Sequence, residues 1–354
     1  MIIGIDAREL EGRRTGVGRY LEGLLIHWSK IDQNFVLFFK DEIPELPILN
    51  SRNFRKVLVP FFLKKEGWLW EQIALPIALR REKVDILFSP SYSTSLFGRQ
   101  RKIVVIHDLS YFRNPSWFSM KEGFRRRLFS RISMRVARKV ITVSNFIKDE
   151  IEGRFGFTKG KVDVIYHGVN PLFHFQNEKR EKIILTVGAI FQRRNIPLLI
   201  ESFSMLGIDD WKLIIVGENR TYPKINIEDI VKKMGMDKLV SLIGYINDEE
   251  LLRLYNISSI FVSLSEYEGF GLPVLEAMAC GLPCLLFNGH SYKELFSGFS
   301  YFVNELSSNV VKEGLCELIK DEKLRDGLSL KGLEGSKKFT LKDCAMNTLR
   351  SILG

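Results

Sequence analysis

Glu268 and Glu276 stand eight residues apart around the turn Gly269-Phe270-Gly271, in a stretch, 265–281, that follows an apolar run and opens into a helix. Backbone amides at a helix entrance receive anions and carboxylates accept hydrogen bonds, so the pair could face one ligand from two directions. Pro273 falls in the first helical turn, where its missing N–H costs little. Arg193 and Arg194 form a second candidate, because adjacent guanidiniums at a helix entrance suit a bidentate grip on phosphate oxygens. His107 directly follows the apolar run 102–106, and Gly16-Val17-Gly18 is a partial glycine fingerprint that lets a ligand approach the backbone closely. Each pattern alone also fits a plainer part, such as two solvated acids or a helix start, so the elements that carry them must decide.

Strand-like runs of four to six apolar residues alternate with helix-period segments along the whole chain, which predicts α/β architecture with parallel sheets. The first half offers strands at 2–6, 35–39, 56–59, 84–88, 102–106, 140–143 and 162–165, with a loop over 7–15 and a helix from Gly16 to about Ser29. The second offers 182–187, 212–216, 240–243, 260–264, 283–287 and 301–303. His107 therefore sits at a carboxyl edge, where ligands of open α/β sheets bind. Asn145 is placed as the cap of a helix beginning at Phe146. Asn247 to Glu250 reads as a capping box. We expect an N-terminal domain over 1–172, a second over 173–338, and a last helix within 339–354.

At 354 residues, 45% hydrophobic and 27% charged, the chain is long enough for two cores, and no apolar run reaches membrane-span length. Cys280, Cys284, Cys316 and Cys344 have no CxxC spacing and no close His, which predicts reduced thiols and no metal site. A cytoplasmic protein is expected. The excess charge is uneven: through Leu172 there are 30 Lys+Arg against 18 Asp+Glu, and beyond it 22 against 24. Much of the excess lies at 121–140. A helix there sets Arg127, Arg131, Arg135 and Lys139 in an i, i+4 row beside Phe124, Leu128, Ile132 and Val136. The apolar row is expected to dock in the core, leaving Arg125 and the basic row for an anionic surface. No nucleic-acid recognition module accompanies the patch.

In order along the chain, Thr15 to Tyr20, His107-Asp108-Leu109, Val143 to Phe146, Tyr166 to Asn170, Val187-Gly188 with Arg193-Arg194-Asn195, Val216-Gly217, Gly244-Tyr245 and Glu268 to Glu276 resemble the family-4 retaining glycosyltransferases. The last is the E-x7-E motif of that family, and the likeness covers nearly the whole chain. Trp70-Glu71-Gln72, Phe88 to Ser91 and the Arg-Arg-Asn cluster look like the bacterial branch that builds O-antigen and capsule polysaccharides, often mannosyltransferases. The resemblance implies a GT-B fold, two Rossmann-like domains facing across a cleft, with the C-terminal helix crossing back to the first.

The same resemblance implies transfer of a hexosyl unit, mannosyl favoured, from a nucleotide-diphosphate sugar to a saccharide or polyprenyl-diphosphate-linked acceptor, with retention and no metal. GDP-mannose is the favoured donor, a UDP-sugar the alternative. Arg193 and Arg194 would hold the diphosphate, Glu276 the ribose, and Glu268 the transferred sugar. Backbone around Phe270, Gly271 and Leu272 would meet phosphate or sugar. Gly16 and Gly18 would close over the phosphates, His107 would touch the sugar, and Gly188, Gly217 and Tyr245 would line the donor. The absence of any D-x-D fits a metal-free clamp. Two departures stand out: the family commonly has Lys where Arg194 stands, and the stretch Leu285 to His290 is bulkier than usual. An epimerase of the same fold and an inactive nucleotide-binding scaffold are the alternatives, whereas a nicotinamide dehydrogenase would need a full G-x-G-x-x-G. Peripheral attachment to the inner face of the plasma membrane follows from the basic patch and a lipid-linked acceptor.

Overall fold

A computed structural model describes residues 1–12, 15–61 and 67–354; Arg13 and Arg14, in the loop expected after the first strand, lie outside them. The chain divides into two units: residues 1–112, 120–168 and 341–354 in the first, and 113–119 with 169–340 in the second.

The first unit is built on a seven-stranded sheet of order β3-β2-β1-β4-β5-β6-β7, parallel throughout. Its strands are β1 (Ile3–Asp6), β2 (Phe35–Phe39), β3 (Phe54–Leu58), β4 (Ile86–Ser89), β5 (Arg101–Ile106), β6 (Lys139–Thr142) and β7 (Val162–Val164). β1, β2 and β4 are buried at every residue, because crossover helices cover both faces of a parallel sheet. β3, at the edge, keeps only Phe54 and Val57 inside.

On one face the helix Gly16–Trp28 packs against the C-terminal helix Leu341–Leu353, with Leu341 filling the space that Gly23 leaves. Trp28 is fully buried there, stacked on Phe35 at 5.2 Å, and its indole N–H donates to the Ala345 carbonyl at 2.9 Å.

The second unit repeats the plan with six parallel strands in the order β10-β9-β8-β11-β12-β13. They are β8 (Ile183–Val187), β9 (Lys212–Val216), β10 (Val240–Ile243), β11 (Ile260–Ser263), β12 (Cys284–Phe287) and β13 (Tyr301–Val303). The expected capping box forms at the helix Asp248–Ile257: Glu250 N–H donates to the Asn247 side chain at 2.8 Å and Asn247 N–H to Glu250 at 3.3 Å.

Two expectations fail locally. The helix Asn145–Arg154 is capped by Ser144, whose hydroxyl accepts from Ile147 N–H at 3.3 Å, so Asn145 is its first residue and not its cap. In the basic helix Met120–Val136 the apolar row does not enter the core: Phe124 is 62% exposed, and Leu128 and Val136 are exposed as well. The buried face carries Gly123, Ser130, Ser133 and Met134 instead. Small residues let the helix lie close to its neighbours, and the Ser133 hydroxyl accepts from Thr94 N–H at 3.0 Å, so the bulky row is turned outward. The basic row divides too. Arg127 donates inward to the Tyr111 carbonyl at 3.1 Å, and Lys139, already in β6, pairs with Asp163 at 3.1 Å. Arg131 and Arg135 remain exposed and Arg125 half-buried.

Candidate active site

In each sheet the chain reverses its direction of winding once. In the second unit it builds outward from β8 through β9 to β10, then returns to the other side for β11, β12 and β13. The carboxyl ends of β8 and β11 flank that switch point, the place where open α/β sheets leave a crevice for ligands. Arg193 and Arg194 follow β8, and Glu268 follows β11.

The structure brings these residues into contact. Arg194 Nε lies 3.1 Å from Glu268 Oε1, both side chains mostly buried, and the Ser265 hydroxyl donates to the same oxygen at 3.0 Å. The Nε–H is out of alignment for a hydrogen bond with that carboxylate, and this buried donor has no acceptor among the described residues. Arg194 Nη1 donates to the Val187 carbonyl at 2.9 Å, which folds the guanidinium over Gly188. A Cβ at Gly188 would overlap Nη1, and the residue has φ +123°, so glycine is needed on both counts. Gly217 is equally constrained, at φ +147° against the Gly188 carbonyl.

Arg193 is buried, donates from Nε to the Tyr267 carbonyl at 3.2 Å and lies over the Phe191 ring at 4.4 Å. Asn195, with φ +54°, clasps the two loops: its amide donates to the Leu264 carbonyl and to Glu266 Oε1, both at 3.0 Å. Asn tolerates the left-handed region and supplies two donors, which explains its place after the arginines.

Gly271 caps the helix Leu272–Ala279 at φ +108° with Tyr292 against it, and Ser291 donates to the Glu268 carbonyl at 2.7 Å. Glu276 is buried in that helix, its Oε2 accepting from the Tyr255 hydroxyl at 2.9 Å. The Phe270 ring belongs to an aromatic cluster with Phe296 and Phe339, leaving only its backbone for a ligand. Tyr245, after β10, is 53% exposed.

In the first unit the switch point lies between β1 and β4. Thr15 caps the helix Gly16–Trp28 by accepting from Gly18 N–H at 3.2 Å, and a Cβ at Gly18 would overlap the Glu9 carbonyl. Gly16 has open space around its Cα. His107, just past β5, faces the Pro90 carbonyl at 2.7 Å and His167 at 3.3 Å. Burial holds both histidines below the ordinary imidazole range, His167 well below, its neighbour His107 adding to the effect.

A buried ion cluster beside β1 was not singled out from the sequence. Arg8 binds both Asp6 oxygens, Glu71 at 2.7 Å and the Gly67 carbonyl, over the Trp70 ring. Asp6 at a strand end was the available signal; that Arg8 beside it also binds Glu71, 63 positions further on, was not. Burial pushes the Glu71 carboxyl up, with Arg8 and Ser93 opposing. No group of three or more His, Cys, Asp or Glu among the described residues forms a metal-ligand cluster.

Residues 14–172 match the model of Glycosyltransferase Family 4 and residues 171–333 that of Glycosyl transferases group 1. The chain belongs to the family-4 glycosyltransferases, and its two α/β units are those of the GT-B fold. The O-antigen chain mannosyltransferase B of Escherichia coli is 24% identical over 95% of both chains. Among solved structures, sucrose-phosphate synthase of Thermosynechococcus elongatus superposes with a TM-score of 0.82 at 18% identity, over 99% of this chain and 97% of that one. The Anabaena protein HepE, solved in complex with UDP and glucose, gives 0.79 at 15% over 99% of both.

Proposed function

We propose that the chain transfers a hexosyl unit, mannosyl favoured, from a nucleotide-diphosphate sugar to a saccharide or lipid-linked saccharide, with retention and without a metal. The observation that carries this reading is the Arg194–Glu268 contact across the switch point of the second sheet, with a buried Arg194 Nε–H that has no acceptor among the described residues. A diphosphate oxygen would satisfy that donor and neutralise the guanidinium that Glu268 only partly balances. The relatives support it: one is named a mannosyltransferase and a neighbour of the same fold was solved with UDP and glucose.

In this reading Arg193 and Arg194 stabilise the charge that builds on the diphosphate as the bond to the anomeric carbon breaks. The acceptor oxygen bonds the same face of that carbon, and its proton passes to the departing phosphate oxygen. Glu268 accepts hydrogen bonds from the sugar hydroxyls; its Oε1, held by Ser265 and Arg194, is a binding group and not a nucleophile. Glu276, anchored by Tyr255, takes the ribose. Gly188 and Gly217 let the diphosphate approach the strand ends.

A lipid-linked acceptor would draw the protein to the inner face of the plasma membrane. Exposed Phe124 and Leu128, beside Arg125, Arg131 and Arg135, form an apolar and cationic face suited to anionic headgroups. Among the described residues no helix is long and apolar enough to cross a membrane.

Calorimetry with GDP, UDP and their sugars tests the clamp. Binding of one nucleoside diphosphate is expected in the wild type and none in Arg193→Ala/Arg194→Ala, with turnover unchanged by EDTA. Retained affinity in the double variant would refute the clamp.

A further inference from the structure

Three strand ends of the first unit meet at one imidazole. His107 follows β5 directly, Pro90 follows β4, and His167 lies three residues beyond β7. His107 Nε2 is 2.7 Å from the Pro90 carbonyl oxygen, and a carbonyl only accepts, so that nitrogen carries the proton. In the neutral ring Nδ1 is then a bare acceptor. His167 Nε2, 3.3 Å away, must be the donor to it.

The two rings lie within 14° of parallel at 5.3 Å, and Tyr20 meets them edge-on at 5.1 and 4.9 Å. Tyr20 is in turn backed by the C-terminal helix, its hydroxyl 3.5 Å from that of Thr348. Cys344 of the same helix takes a hydrogen bond from the backbone of Gly168, next to His167. The pair is thus fixed by five elements, three strand ends and two helices.

We propose that His167 is a positioning residue for His107, holding its ring in the Nε2–H tautomer and in one plane at the carboxyl edge of the sheet. His107 is then held at that edge as a neutral, oriented ring and carries no proton in the reaction. Both its nitrogens are engaged within the unit, so the acceptor proton has to leave by another group, which the donor phosphate supplies. Burial disfavours charge on either ring, and a charge on one would oppose a charge on the other. The consequence for turnover rests on the glycosyl-transfer reading; the ring geometry does not.

Two measurements decide. Nitrogen-15 NMR of the full chain, labelled at histidine, is expected to show His107 protonated at Nε2 only and neutral between pH 8 and about 6. A proton on Nδ1, or ordinary titration near the free imidazole value, would overturn the assignment. In turnover assays His167→Asn keeps an amide donor and should stay within about twofold of wild type, whereas His167→Leu should lose roughly tenfold in kcat at unchanged KM. Equal losses in both variants at matched melting temperature, or no loss in either, would overturn the positioning role. Should His167→Leu not fold, the wild-type spectrum and the Asn variant still decide. The expected tautomer in a protein that turns over no nucleotide sugar would instead overturn the reading of the reaction.

Discussion

Two side chains that the sequence places 74 positions apart, Arg194 and Glu268, partly balance each other's charge. Replacing Glu268 by Gln removes the balancing carboxylate charge while keeping the shape and one carbonyl acceptor. We expect turnover to fall by about 100-fold or more with the melting temperature within a few degrees of wild type, measured by product formation alongside thermal melts. Near-normal turnover would remove Glu268 from the site. Gly188→Ala probes the same spot from below, since its Cβ would displace the Arg194 guanidinium and the backbone conformation is strained for any L side chain. A loss of about 1–3 kcal/mol in stability is expected from the strain alone. Nucleotide affinity should drop with it, read by calorimetry on the folded fraction.

At the scale of elements, the basic helix Met120–Val136 is the most instructive. Its apolar residues recur at helical spacing, and by periodicity alone they belong inside. The close packing of Gly123, Ser130 and Ser133 against the neighbouring loops leaves no room for them, so they face solvent. Phe124→Ser/Leu128→Ser should leave the melting temperature unchanged or slightly raised while reducing flotation with anionic liposomes. Ser133→Leu, on the buried face, should destabilise by about 1–3 kcal/mol through overpacking and a lost bond to Thr94. Equal flotation of wild type and the Phe124/Leu128 variant would argue against a lipid face.

For the molecule as a whole, stability should depend on pH through the buried histidine pair. Both folded values are lowered, so the unfolded chain takes up protons first as pH falls below about 6.5. The contribution is complete above that pH and is lost as pH drops toward the folded values. Glu9 and Glu71, raised by burial, act in the opposite sense at lower pH, so the comparison that isolates the histidines is wild type against His167→Asn. The gap in melting temperature between them should narrow from pH 7.5 to 5.5; a constant gap would contradict the buried neutral pair.

The thirteen described strands of the two sheets overlap the expected runs; inner strands such as β2 and β4, covered on both faces, are almost wholly apolar, whereas the edge strand β3 carries the exposed Arg55 and Lys56. The turn around Gly271, the capping box at Asn247 and the residues at the ends of β5, β8 and β11 were legible for the same local reason: their chemistry is written in consecutive positions. Contacts between distant strand ends were not. The sequence held Asp6, Arg8 and Glu71, or His107 and His167, without any sign that they touch, since adjacency is decided by the order in which strands enter a sheet. Nor could periodicity tell which face of the basic helix is buried, because that is decided by the room its neighbours leave. The sequence by itself therefore determined the elements and the residue types at their ends; tertiary structure decided which ends of each sheet lie together, which arginines of the basic helix stay exposed, and that the two histidines touch.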